Sequence, residues 1–182
     1  MRGMIAEKRS LAFRDSLRRD CQAHVFSFVS IDGDRSEYAS TLRKAVQDGE
    51  FCGEFSIASP DFEFAHFDIG ELEAVLWTML EEAGAAPRER EQLHAAITGV
   101  QNAKALFEAV RRALPLYPNV SKGKEWGTRL MQYAWDHPER NGQKRRLLEM
   151  VENALRSKTY NYQMTCTECV IDPTTGRTKR KT

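Results

Sequence analysis

The run Val25-Phe26-Ser27-Phe28-Val29-Ser30-Ile31, followed at once by Asp32-Gly33-Asp34, constrains this chain more than any other stretch. β-Branched and aromatic residues in close succession suit a pleated, buried strand and sit less well in a helix. The abrupt change to Asp-Gly-Asp leaves two carboxylates at the strand's carboxyl end. Asp32 and Asp34 are two apart, so on a continuing strand both side chains point to the same face. Gly33 between them lets the backbone turn and come close to a ligand. Such a pair can hold Mg²⁺ and still leave positions for water and phosphate, which phosphodiester chemistry requires. A solvated Asp-Gly turn at a strand end is the plain alternative.

The flanking patterns place this strand in a small α/β unit. Residues 4–22 read as a helix with an apolar stripe through Phe13, Leu17 and Cys21 and a cationic outer face. Tyr38, Leu42, Ala45 and Val46 recur at helical spacing up to the Asp48-Gly49 stop, and Phe51 to Ala58 reads as a second strand. A strand–helix–strand order predicts parallel pairing if both strands share a sheet. Pro60 ends the second strand. Asp68 and Glu71 then form a capping-box signature ahead of Ile69, Leu72, Leu76, Met79, Leu80 and Ala83 on one apolar face, closed by Gly84. Pro87 opens a further helix. Ala103, Leu106, Phe107, Val110, Ala113 and Leu114 mark another, stopped by Pro115 and Pro118.

Beyond it, Leu130, Tyr133 and Ala134 predict a helix, Pro138 to Gly142 a break, and Leu147, Leu148, Val151, Ala154 and Leu155 a last helical face. Tyr160 to Ile171 reads as extended and Asp172-Pro173-Thr174-Thr175-Gly176 as a turn. The expected fold is therefore α/β and helix-rich, with a small parallel sheet and a C-terminal helical extension. Its expected divisions are an α/β unit over 1–84, a helical extension over 85–159, and an extended segment with a basic tail over 160–182.

Composition narrows the function classes. No apolar stretch approaches the ~20 residues of a membrane helix, and Met1 to Arg9 lacks the apolar core of a secretory leader. Four cysteines without such a leader predict reduced thiols and a cytoplasmic setting. The net charge of +1 is unevenly spread: residues 32–92 carry five basic and fifteen acidic side chains, whereas residues 122–182 carry thirteen basic and seven acidic. An acidic centre with basic flanks suits a protein holding a cation in one place and a polyanion beside it, although solvated helix faces can also differ in sign by chance.

Three further groupings bear on chemistry. Asp61 and Glu63 follow the second strand, and in a parallel sheet the carboxyl ends of both strands share the rim where ligands bind. Four carboxylates facing one crevice would repel one another and favour a divalent cation, which makes Asp61 and Glu63 candidate metal ligands beside Asp32 and Asp34. The competing reading has them capping or salt-bridging the helix that follows. Lys122 and Lys124 lie in a Gly-containing loop before Trp126, where a lysine can act as a point charge on phosphate. This is not a Walker A loop, since Glu125 stands in place of Ser/Thr, and Trp126 reads first as a core residue. Cys166 and Cys169 have zinc-knuckle spacing, but no second pair accompanies them and structural zinc needs four ligands. Lys122, Lys124, Arg177, Lys179, Arg180 and Lys181 are the candidate nucleic-acid contacts.

The strand ending in Asp32-Gly33-Asp34, with the helix and strand after it, resembles the latter half of a TOPRIM domain, the module of topoisomerases, primases and overcoming-lysogenization-defect nucleases. The resemblance spans residues 25–58, rests on one short motif, and lacks the glutamate that the family carries on an earlier strand. It implies Mg²⁺ binding by Asp32 and Asp34, an assisting lysine for which Lys122 is the counterpart, nuclease activity and a place in phage defence. Mg²⁺-dependent chemistry on nucleic-acid phosphodiesters, with Asp32, Asp34 and Lys122 catalytic, is the leading expectation. The alternative is a non-enzymatic accessory or inhibitor protein, binding a protein or nucleic-acid partner or a second copy through charged faces. A phosphohydrolase of the haloacid-dehalogenase type ranks third, because Asp-Gly-Asp-Arg lacks the Gly-Thr that follows that family's aspartate pair.

Overall fold

The elements run in the order α1 (Arg2–Gln22), β1 (Ser27–Asp32), α2 (Ser36–Gln47), β2 (Gly53–Ala58), α3 (Phe62–His66), α4 (Ile69–Glu82), α5 (Glu89–Ile97), α6 (Ala103–Ala113), α7 (Lys124–Asp136), β3 (Glu139–Arg140), β4 (Gln143–Lys144), α8 (Arg146–Thr165), β5 (Cys169–Ile171) and β6 (Thr178–Arg180). They come from a computed structural model that describes residues 2–33, 35–165, 169–171 and 178–180, with side chains over 9–33 and 35–156. The chain is a helix-rich α/β protein whose β1 and β2 pair in a small parallel sheet, as the strand–helix–strand order predicts. No helix among the described residues is long and apolar enough to cross a membrane.

The chain divides into two compact units, one made of residues 1–31, 35–57 and 150–182 and the other of residues 32–34 and 58–149. In the first, Leu17 of α1, Ile31 of β1 and Ala39, Leu42 and Ala45 of α2 form a small core, with Phe13, Tyr38 and Phe51 packed around it. The 3.6-residue period of α2 puts its three inward residues on one face. Phe13 meets Tyr38 edge-on at 5.4 Å between ring centroids. Arg14 ties α1 to the far end of α2 through Asp48 and through Glu50, the latter at 2.7 Å.

The second unit has the larger core, built from Phe67, Leu72, Leu76, Leu80, Leu93, Ile97, Leu106, Val110, Trp126 and Leu130 among others. The capping box read from sequence closes the start of α4: Glu71 N–H donates to Asp68 Oδ1 at 2.9 Å and Asp68 N–H to Glu71 Oε2 at 3.0 Å. Asn102 caps α6 by accepting from Ala105 N–H at 2.9 Å. Trp126, Leu130 and Ala134 turn the inner face of α7 toward this core, and Phe107 packs edge-on against Trp126 at 5.3 Å.

One expectation is corrected by the structure. The segment over 160–171 is not extended throughout, since α8 continues to Thr165 and, among the described residues of the segment, Cys169–Ile171 is strand. Extending a helix already nucleated upstream needs only one more bond per residue, which outweighs the strand preference of Tyr160 and Tyr162. The expected break over 138–142 is present, since α7 ends at Asp136 and α8 begins at Arg146, and a β-hairpin fills it, with Glu139 opposite Lys144 and Arg140 opposite Gln143. Its two-residue turn needs left-handed backbone at both positions, which Asn141 (φ 55°) and Gly142 (φ 73°) supply.

Candidate functional site

Segments far apart in sequence bring their polar groups together in the second unit. Asp32 ends β1, and its Oδ1 accepts a hydrogen bond from Phe62 N–H at 2.8 Å. Its Oδ2 faces Lys122 Nζ at 3.9 Å. Glu63, one residue into α3, is only 3% exposed. Lys122 Nζ donates to Glu63 Oε2 at 3.0 Å, and Trp126 Nε1 donates to Glu63 Oε1 at 3.2 Å. The fold thus places Asp32, Glu63, Lys122 and Trp126 around one ammonium group.

Local structure explains why these groups meet. Gly33 has its backbone so close to the β2 exit that a Cβ there would lie 2.1 Å from the Ala58 carbonyl oxygen and 2.6 Å from that of Pro60, so no larger residue fits. The Ser59–Pro60 peptide in that exit is cis. Asp61 then caps α3, with Oδ1 accepting Phe64 N–H at 3.0 Å, while Oδ2 accepts Ala103 N–H at 2.6 Å from the first turn of α6. One carboxylate, 5% exposed, therefore satisfies orphan donors of two helices. Asp61 is thereby engaged on both oxygens, in the capping role that its position after β2 suggested.

The electrostatics follow from burial and pairing. Burial opposes the charge on Lys122, but the hydrogen bond to Glu63 and the charges of Glu63, Asp32 and Asp61 outweigh it and hold the pKa of Lys122 above the ordinary lysine value. The ammonium therefore stays charged at neutral pH, fixed between two acids. Asp32 and Lys122 keep side-chain exposures of 31% and 47%, so solvent and a solute reach them, whereas Glu63 is walled in.

The donor set is all oxygen, which fits a hard cation such as Mg²⁺ and does not fit a metal that prefers thiolate or imidazole. Asp32 and Glu63 are the described residues that would hold it, each through the oxygen now turned to Lys122. Among the described residues no three histidine, cysteine or acidic side chains converge on one point. Mg²⁺ is commonly bound through one or two carboxylates, with water and substrate phosphate completing the shell.

The other sequence candidates are placed as follows. Asp34, Arg177, Lys181 and Cys166 lie outside the described residues. Lys179 and Arg180 stand on β6, opposite Val170 and Cys169 of β5. Lys124 opens α7, exposed to solvent. Trp126 is a core residue, as its sequence context suggested, and in addition orients Glu63.

A second polar cluster has no counterpart in the sequence reading. Arg145, only 4% exposed, forms an ion pair with Glu71 and donates to the His137 carbonyl, with its guanidinium over the Phe67 and Tyr133 rings at 5.7 Å from each centroid. Burial raises the pKa of Glu71, but the Arg145 hydrogen bond, the Asp68 N–H and the Arg145 and Arg140 charges bring it below the usual carboxylate value. His66 is 7% exposed and its Nε2 has no hydrogen-bond partner among the described residues. Its burial, reinforced by the charges of Arg146 and Arg140, pushes the imidazole pKa down and keeps the ring neutral. Arg145 stands between Lys144 and Arg146 at the exit of the hairpin, where its N–H donates to the Pro138 carbonyl and its side chain turns inward.

Fold and cluster together define a helix-rich α/β protein with a lysine bridging two acids at the end of a strand. No known protein family, characterised protein or solved structure matches the chain.

Proposed function

We propose that this chain carries out Mg²⁺-dependent chemistry on nucleic-acid phosphodiesters, in keeping with its TOPRIM-like motif. The observation that supports this most directly is the convergence of Asp32 and Glu63 on Lys122 Nζ, at 3.9 and 3.0 Å, at the carboxyl end of a strand. Bound Mg²⁺ would neutralise phosphate charge and activate water. Asp32 would orient the group held there, because Phe62 N–H fixes its carboxylate. Lys122, half exposed and always charged, would swing from the acids to a non-bridging phosphate oxygen and stabilise charge that builds there. Glu63, locked by Trp126, would set the position from which Lys122 moves.

Asp32→Asn tests this reading, since it keeps the acceptor for Phe62 N–H and removes the charge. Mg²⁺-dependent cleavage of labelled DNA and RNA should fall by at least roughly a hundredfold while the circular-dichroism spectrum stays unchanged; full cleavage by the variant rejects the proposal.

One observation favours a second reading. Lys122 already neutralises the acids, so the cluster is self-satisfied without a cation and also suits a non-enzymatic accessory or inhibitor protein that binds its partner through charged faces. Isothermal titration with Mn²⁺ separates the two: the enzyme reading requires uptake that Asp32→Asn abolishes, and the accessory reading requires none.

A further inference from the structure

Asp32 and Glu63 each have one oxygen tied down and the other turned to the same ammonium. Asp32 Oδ1 accepts Phe62 N–H at 2.8 Å, and its Oδ2 stands 3.9 Å from Lys122 Nζ. Glu63 Oε1 accepts Trp126 Nε1–H at 3.2 Å, and its Oε2 accepts from Lys122 Nζ at 3.0 Å. Neither carboxylate can therefore turn away from Lys122 without straining a second hydrogen bond. Glu63 is 3% exposed, so a solute reaches its Oε2 only where a neighbour gives way. Of its two side-chain donors, Trp126 is a core residue at 1% exposure, whereas the Lys122 side chain is 47% exposed. Lys122 is the donor that can leave.

We propose that Lys122 is a resident counter-ion that makes cation and phosphate enter this site together: the acids release the ammonium to a divalent cation only as Lys122 passes to a phosphodiester oxygen. The inference rests on the metal-site reading given above and makes its ligand a cation–phosphodiester pair. Charge explains why neither comes alone. Asp32, Asp61 and Glu63 all act on Lys122 through their charges, three negative against one positive, and that excess repels a lone phosphate. A lone divalent cation meets an ammonium already engaged with both oxygens. Pushing Lys122 into water then forfeits a charge-assisted hydrogen bond to a desolvated carboxylate. With both ligands present, the cation neutralises the acids and the displaced ammonium regains an anion. Two ligands that favour each other's binding are linked by the same factor in both directions.

The test counts free Mn²⁺ by electron paramagnetic resonance as the ion is titrated into the full chain, first alone, then with a thymidine dinucleotide, then with its uncharged methylphosphonate analogue. Protein-free titrations are subtracted. Mn²⁺ should bind the wild type weakly alone, at least about tenfold more tightly with the dinucleotide, and no better with the methylphosphonate. Equilibrium dialysis of the dinucleotide should show its affinity raised by Mn²⁺ by the same factor. Lys122→Met, which removes the competing charge, should bind Mn²⁺ alone more tightly than the wild type and gain nothing from the dinucleotide. The dialysis needs no variant, so the test stands even if Lys122→Met does not fold. Wild-type uptake that the dinucleotide leaves unchanged overturns the proposal and leaves the metal site standing. So does an equal gain from the methylphosphonate, or a gain that survives in folded Lys122→Met. No uptake under any condition overturns the proposal and the metal-site reading together. Tenfold coupling without cleavage of labelled DNA or RNA upholds the proposal and removes the phosphodiester chemistry alone.

Discussion

Lys122 Nζ donates to Glu63 Oε2 at 3.0 Å and stands 3.9 Å from Asp32 Oδ2, so one ammonium is the counter-ion of two acids. Glu63 is nearly sealed from water while Lys122 is half exposed. The pair is therefore asymmetric: the carboxylate depends on the lysine more than the lysine depends on it.

Lys122→Met leaves Glu63 buried with only the Trp126 indole as a donor. Breaking a fully buried pair costs about 3–5 kcal/mol, and solvent screening at the exposed lysine reduces this to about 2 kcal/mol. The urea midpoint should fall with an unchanged m-value. A midpoint equal to that of the wild type would show that Glu63 is not held by its lysine.

Asp61→Ala orphans two buried N–H groups, those of Phe64 and Ala103. At about 1–3 kcal/mol for each donor left unsatisfied, the loss should be about 3 kcal/mol and the thermal midpoint should drop by several degrees. Asp61→Asn keeps an acceptor and should lose less. Equal melting of Ala and Asn variants would contradict the double-capping role.

Gly33→Ala drives a Cβ to 2.1 Å from the Ala58 carbonyl oxygen, so backbone must move. Overpacking of this kind costs about 1–3 kcal/mol, and it displaces the neighbouring Asp32. Differential scanning calorimetry should show the lower midpoint, and any Mn²⁺ uptake should weaken in parallel. Wild-type behaviour in both would mean that the loop is looser than its contacts indicate.

Acid should weaken the second unit through two groups with the same sign. His66 has its folded-state pKa below 6.5, so the unfolded chain takes up the proton first; the stability present above pH 6.5 is lost as pH falls toward the lower folded value. Glu71 has its folded-state pKa below 4.5, so its contribution is present above pH 4.5 and is lost as pH falls through the depressed value. Urea unfolding across this range should show His66→Phe flattening the upper part of the decline and Glu71→Gln the lower part. Profiles parallel to the wild type would assign the acid sensitivity to other groups.

Local pattern was enough where one element's own residues decide the outcome. The strand ending at Asp32, the helix through Leu42 and the Asp68/Glu71 capping box all follow from period and from hydrogen bonds within one turn. Sequence reading failed where a longer-range gain outweighed local preference. Tyr160 and Tyr162 look like strand residues but continue α8.

The candidate site divides the same way. Sequence by itself determined which residue types stand at the exit of β1, after β2 and before α7, and so singled out Asp32, Asp61 and Glu63 as acids that could share a rim and Lys122 as a lysine that could assist them. Tertiary structure alone decided that Lys122 bridges Asp32 and Glu63, that Asp61 spends both oxygens on helix starts, that Arg145 is buried, and that Trp135 faces water while Trp126 does not. Charge pairing and burial are properties of distances between remote segments, and spacing along a chain carries no record of those distances until packing has fixed them.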